Sequence, residues 1–206
     1  MLRKALAAMT SGARRSRSAW FLAAVLAAGA GVSACGEAGP EIRSPALMGL
    51  VPWGEHGRLV FDDNIDPAAV GYTMDTPSAR SDRFLRERAQ TAELVARMRV
   101  QTVTIDTIGD DSTFHLGVQI GAPLLAPNPK IEDRTLELLI KPASPAFGIA
   151  KALDQRMQGV TFIGFVHRFA SADGSEIELH WHMSPDTADV ASAVKEAVAL
   201  AEASGH

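Results

Sequence analysis

The sequence predicts an α+β domain: one antiparallel sheet of about five strands with helices packed on one face, in the order α-β-β-β-α-β-β-α. Three observations predict it. Two pairs of segments alternate apolar and polar residues at period two around a Gly/Asp turn, so the strands come as hairpins rather than βαβ units. Two Ser-Pro pairs, Ser144-Pro145 and Ser184-Pro185, carry the N-cap and first-turn chemistry of helix starts. The C-terminal segment places Val190, Val194, Ala197, Val198 and Ala201 on one helical stripe. Of the 206 residues 47% are apolar and 21% charged, enough apolar material for one real core.

The elements follow in chain order. Residues 36–55 hold three Pro and four Gly without a period and suit a tether. Met48, Leu50, Val51 and Trp53 within it can dock on the domain that begins at residue 56. Arg58–Phe61 suits a short strand. Residues 77–98 carry a helical pattern started by Pro77 or Ser81, with Phe84, Leu85, Ala89, Ala92, Val95 and Met98 near one face. Val100–Ile108 and the segment from Phe114 to Ile120 form a hairpin around Gly109-Asp110-Asp111-Ser112. Thr135–Lys141 is a third strand. A helix runs from Ser144-Pro145 to about Met157, a strand over Val160–Ser171, an Asp173-Gly174 turn, and a strand over Ser175–Met183. Ser184-Pro185 starts the final helix.

The N-terminus is of another kind. Arg3, Lys4, Arg14, Arg15 and Arg17 precede an uncharged apolar run, residues 19–32. A membrane-spanning helix needs roughly 20 apolar residues; this shorter, Gly- and Ala-rich run after a basic segment suits a signal peptide over residues 1–34. The residues that follow, Val32-Ser33-Ala34-Cys35-Gly36, resemble the lipobox of bacterial prolipoproteins: an aliphatic residue, two small ones, then cysteine. The resemblance covers only residues 1–36, and Cys35 is the only cysteine of the chain.

The resemblance implies export, cleavage before Cys35, and a diacylglyceryl and N-acyl anchor on that residue. One acyl chain holds only marginally, whereas several hold essentially permanently. It also implies that Gly36, which is not Asp, favours the outer membrane. Arg14-Arg15 leaves twin-arginine export open beside the general route, although Ser16-Arg17-Ser18 lacks the apolar residues expected after such a pair. Without its first 34 residues the chain has 15 Lys and Arg against 24 Asp and Glu, a formal charge of −9. That charge argues against nucleic acid as a partner and leaves the lipid on Cys35 as the means of holding a membrane. The expected partner is an envelope protein or a small ligand.

Candidate chemistry centres on the last hairpin. His180 and His182 lie two apart on a strand and share a face, and His167 lies on the neighbouring strand. Three imidazoles so placed could hold a tetrahedral zinc with one open position, as in a metal-dependent enzyme or metal carrier. The outcome depends on register. Pairing that sums to 347 puts His167 opposite His180. Pairing that sums to 346, from a three-residue Ala172-Asp173-Gly174 loop, puts Arg168 opposite Glu178 and sends His167 to the other face. The second is favoured, for its ion pair and for the apolar face it gathers from Ile163 to Met183.

Asp62-Asp63-Asn64-Ile65-Asp66 begins like a calcium loop, but Pro67 and Thr73 stand where Gly and a bidentate Glu are needed. No nucleophile elbow and no phosphate-binding loop occurs. The sequence therefore favours a non-enzymatic, lipid-anchored interaction or ligand-binding module.

Overall fold

The computed structural model describes residues 49–73, 77–109, 111–126 and 129–205. The signal segment, the lipobox and Cys35 lie outside the described residues.

The chain forms helix α1 (Glu55–Val60), strand β1 (Asn64–Ile65), a 3-10 turn (Pro67–Val70) and helix α2 (Arg83–Thr91). Strands β2 (Leu94–Ile108), β3 (Asp111–Ile120) and β4 (Thr135–Ile140) follow, then α3 (Phe147–Met157), β5 (Thr161–Ala170), β6 (Ile177–Pro185) and α4 (Ala188–Ala203). The α+β class holds, and α2 to α4 reproduce the expected order. The sheet has six strands rather than five, in the order β1-β6-β5-β2-β3-β4. It is mixed, because β1 pairs in parallel with β6 at Asn64–His182 and Ile65–Met183. A two-residue strand leaves no period-two signal, so alternation in the sequence cannot reveal it.

Helices cover both faces, not one. Leu94, Ala96 and Met98 of β2, Phe162 and Val166 of β5, and Trp181 of β6 pack with α3. Val95, Ile163, Phe165 and Phe169 pack on the opposite face with α1, α2 and α4. The central strands thus bury both faces, which permits near-continuous apolar runs such as Phe162–Val166. Inside the sheet, β5 passes β2 closely. A Cβ at Gly164 would meet the buried Met98 side chain, so a larger residue there requires Met98 to move.

Several local expectations are corrected. Arg58–Phe61 belongs to α1 and its C-cap rather than to a strand: Val60 and Phe61 turn inward while Leu59 stays exposed. The expected 77–98 helix is only Arg83–Thr91. Asp82 caps it, accepting from the Phe84 and Leu85 amides at 2.8 and 3.2 Å. Val95 and Met98 belong to β2, where Leu94, Ala96, Met98 and Val100 alternate inward. A bulge between Val100 and Thr102 then moves the inward side to odd positions, so Val103 packs on the core.

Both Ser-Pro starts also fail as caps. Ser144 Oγ accepts from the Lys141 amide at 3.1 Å, one turn before α3. Ser184 and Pro185 extend β6, and α4 is capped by Thr187, which accepts from the Val190 amide at 3.2 Å.

Candidate functional site

The β5–β6 pairing fixes where the histidines stand. Phe165 faces His182 and His167 faces His180, so paired positions sum to 347 and the favoured 346 register is corrected. The connection is a six-residue loop, Ser171–Glu176, closed by the Ser171 amide donating to the Glu176 carbonyl at 2.9 Å. Asp173 staples it, accepting from Ser171 Oγ and Ser175 Oγ at 2.6 and 2.7 Å. Those two hydroxyls hold the Asp173 carboxyl down to about 2. Arg168 faces Leu179, not Glu178. Its guanidinium reaches Glu93 at the start of β2, with Nε donating to Oε2 at 2.6 Å.

His167, His180 and His182 therefore share one face, but each is engaged differently. The chain leaving α1 passes through Asp62 and Asp63 into β1 and so lies beside β6. His180 Nδ1 donates to Asp63 Oδ2 at 2.8 Å, and His182 Nδ1 to Asp62 Oδ1 at 2.7 Å. The Nε2 of His180 lies 3.4 Å from Glu178 Oε2. The Trp53 indole stacks on the His180 ring, centroids 3.5 Å apart and planes 10° apart. His180 and His182 are only 4% and 7% exposed. His167 lies against Phe61 and Phe169, and its buried Nδ1 has no hydrogen-bond partner among the described residues.

Asp63 is the hinge of this arrangement. Its amide donates to the Trp181 carbonyl at 2.9 Å, and its Oδ1 accepts from the Trp181 amide at 3.1 Å. Its φ of 50° lies in the left-handed region, which asparagine and aspartate tolerate better than most residues. Behind it, Arg88 of α2 donates from Nε to the Val60 carbonyl at 2.6 Å and so binds the end of α1. Burial lowers the Arg88 pKa, against the pull of nearby Asp62.

Burial also lowers the pKa of His182, although the Asp62 hydrogen bond opposes it, and burial lowers His167. Burial raises Glu93, but Arg168 outweighs it and holds that carboxyl below its ordinary value. The signs combine simply. As pH falls below the unfolded-histidine value of about 6.5, the unfolded chain takes up protons that half-buried His167 and buried His182 resist, so folding loses free energy. Glu93 adds a further loss below its ordinary range. The urea midpoint should therefore fall as pH drops from about 7.5 to 5.5, with a slope reduced in His182→Gln. A flat midpoint across that range would contradict the burial of these rings.

Chemically, the arrangement binds α1 and β1 to β6. No hydroxyl or thiol hydrogen-bonds any of the three imidazoles among the described residues. Nor is any group of three or more His, Cys, Asp or Glu side chains there placed to hold a metal ion. Nothing local in the sequence pairs these histidines with carboxylates. Asp62 and Asp63 stand side by side in an acidic run, yet on the chain that enters β1 they meet His182 and His180, alternate residues of β6. No family model matches the chain, and neither a curated protein nor a solved structure matches it.

Proposed function

We propose that the chain is a lipid-anchored envelope lipoprotein, held in the outer membrane by the lipid on Cys35, whose α+β domain is a non-enzymatic interaction or ligand-binding module. The observation that carries it is the lone cysteine standing at the lipobox position of Val32-Ser33-Ala34-Cys35-Gly36. The site supports a binding role. The His180 and His182 imidazoles are engaged by Asp63, Asp62 and Trp53 rather than set beside a nucleophile. Among the described residues no helix is long and apolar enough to cross a membrane, and a chain that carries −9 beyond its first 34 residues gains nothing from an anionic surface.

Cys35→Ser is expected to move the protein from the membrane fraction to the soluble fraction or leave it unprocessed, and mass spectrometry should find the mature N-terminus acylated at Cys35. A mature chain beginning elsewhere, or an unmodified Cys35, overturns the proposal. A metal-dependent enzyme or carrier keeps one observation in its favour, the shared face of His167, His180 and His182. Stoichiometric zinc in the purified chain, lost on His180→Ala/His182→Ala, would put that function in place of the module.

A further inference from the structure

We infer that the protein forms a symmetric dimer by pairing the outer half of β2, Thr102–Ile108, with the same segment of a second copy; the inference does not depend on the lipid anchor. The outer half of β2 outruns its neighbour. Leu94–Arg99 pair with β5, which begins at Thr161 opposite Arg99. The last backbone bonds on that side are made by Val100, whose amide donates to the Val160 carbonyl at 3.0 Å and whose carbonyl accepts from the Gly159 amide at 2.8 Å. The Gln158 side chain then donates to the Gln101 carbonyl at 3.0 Å. From Thr102 to Ile108, β2 pairs with β3 alone among the described residues. The two ends of the sheet are different, for they curl toward each other and are tied by Trp181 Nε1 donating to the Leu139 carbonyl at 3.3 Å.

Which backbone groups stand open follows from the bulge. In a strand of L-residues, the face a side chain takes fixes the side to which its own N–H and C=O point. Before the bulge the inward residue Val100 aims its backbone at β5. After it the odd positions are inward: Val103 packs on the core, and Ile105 shares a cavity of about 350 Å³ with Phe114 and Phe147. Val103, Ile105 and Thr107 therefore aim their N–H and C=O at the side that β5 has left. No described backbone group meets them there.

The composition of the segment selects the occupant. Every residue from Thr102 to Ile108 except Asp106 is β-branched, and none is Pro, Lys or Arg, the residues that commonly guard an open edge. Ile105 and Ile108 are 48% and 84% exposed. Asp106, the single charge, lies 3.2 Å from His115 on the outer face, so the edge offers no free charge to an acidic or a basic partner. It does complement itself. An antiparallel pair about a two-fold axis at Ile105 sets Ile105 against Ile105, Val103 of one copy against Thr107 of the other, and Thr104 against Asp106, whose carboxylate can accept from the threonine hydroxyl. No like charges meet. Every open N–H and C=O of Val103, Ile105 and Thr107 finds its counterpart, and the contact is closed, because the same patch is used by both copies.

The test is sedimentation of the purified protein in density-matched detergent, with amide hydrogen exchange read by NMR. At about 100 µM the protein should sediment with the mass of two chains. Two variants should sediment as monomers while keeping the thermal unfolding of a folded chain. Ile105→Lys sets like charges against each other on the axis. Thr107→Pro removes an N–H that points to the open edge, so it blocks the new ladder and spares the β2–β3 ladder. In the unaltered protein, exchange at Val103, Ile105 and Thr107 should slow about tenfold or more as concentration rises into the dimer range, with Thr104 and Asp106, which face β3, changing far less. A monomer at about 100 µM overturns the inference. A dimer that survives either folded variant does so too, by placing the contact on another surface, as does exchange at the three odd positions that ignores concentration.

Discussion

Trp181→Ala is expected to cost about 3–5 kcal/mol of folding stability. The side chain is 1% exposed and is among the largest fully buried in the core formed with α3. Its removal leaves a cavity where the curled sheet turns back on itself, and the surrounding β strands cannot collapse into it without losing register. The Leu139 carbonyl also loses its Trp181 Nε1 donor, and with it the side-chain bond between β6 and β4. For a domain of this size the midpoint of thermal unfolding should fall by about 6–20 °C. Trp181→Phe separates the two contributions. It keeps most of the ring and gives up the hydrogen bond, so a loss of about 1–2 kcal/mol is expected. An alanine variant within about 1 kcal/mol of the parent would mean that β4 and β6 do not meet through this residue.

The same residue shows what the sequence could and could not reveal. The hairpins, α3 and the final helix are legible because period two and period 3.6 are local signals, and Phe114, Leu116 and Val118 alternate cleanly. The β5–β6 register is not legible. A 346 sum presupposes one buried face, on which Trp181 and Phe165 stand together. With helices on both faces, Phe165 packs toward α4's side and Trp181 toward α3's; β5 is apolar from Phe162 to Val166, and β6 is buried on both faces from His180 to Ser184. Alternation then carries no register information. Arg168 misled in the same way, because its true partner, Glu93, is distant in sequence and gives no local sign. Spacing marks the three histidines as candidates, while Asp62, Asp63 and Trp53, which engage His182 and His180, lie in segments without a periodic signal. Trp53 was expected only to dock somewhere; it stacks on His180.

Asp63→Ala is the second change expected to have a large effect, at about 3–4 kcal/mol. One carboxylate serves two buried donors, the Trp181 amide and His180 Nδ1. Alanine leaves both without a partner, and a buried donor that loses its acceptor costs more than the bond itself contributed. It also places a Cβ with no compensating side-chain bond at a φ of 50°, adding about 1 kcal/mol of backbone strain. Asp63→Asn keeps the left-handed preference and an oxygen for the Trp181 amide. It replaces the oxygen facing His180 with an amide nitrogen, which the ring can meet only by changing tautomer, so about 1–2 kcal/mol is expected. Asp63→Gly relieves the backbone but loses both acceptors and should fall between them. The order Asn, Gly, Ala in urea midpoints is therefore the signature of this geometry. If Gly proves as stable as Asn, backbone conformation alone is the reason for Asp63, and the carboxylate–imidazole pair contributes nothing to holding β1 on β6.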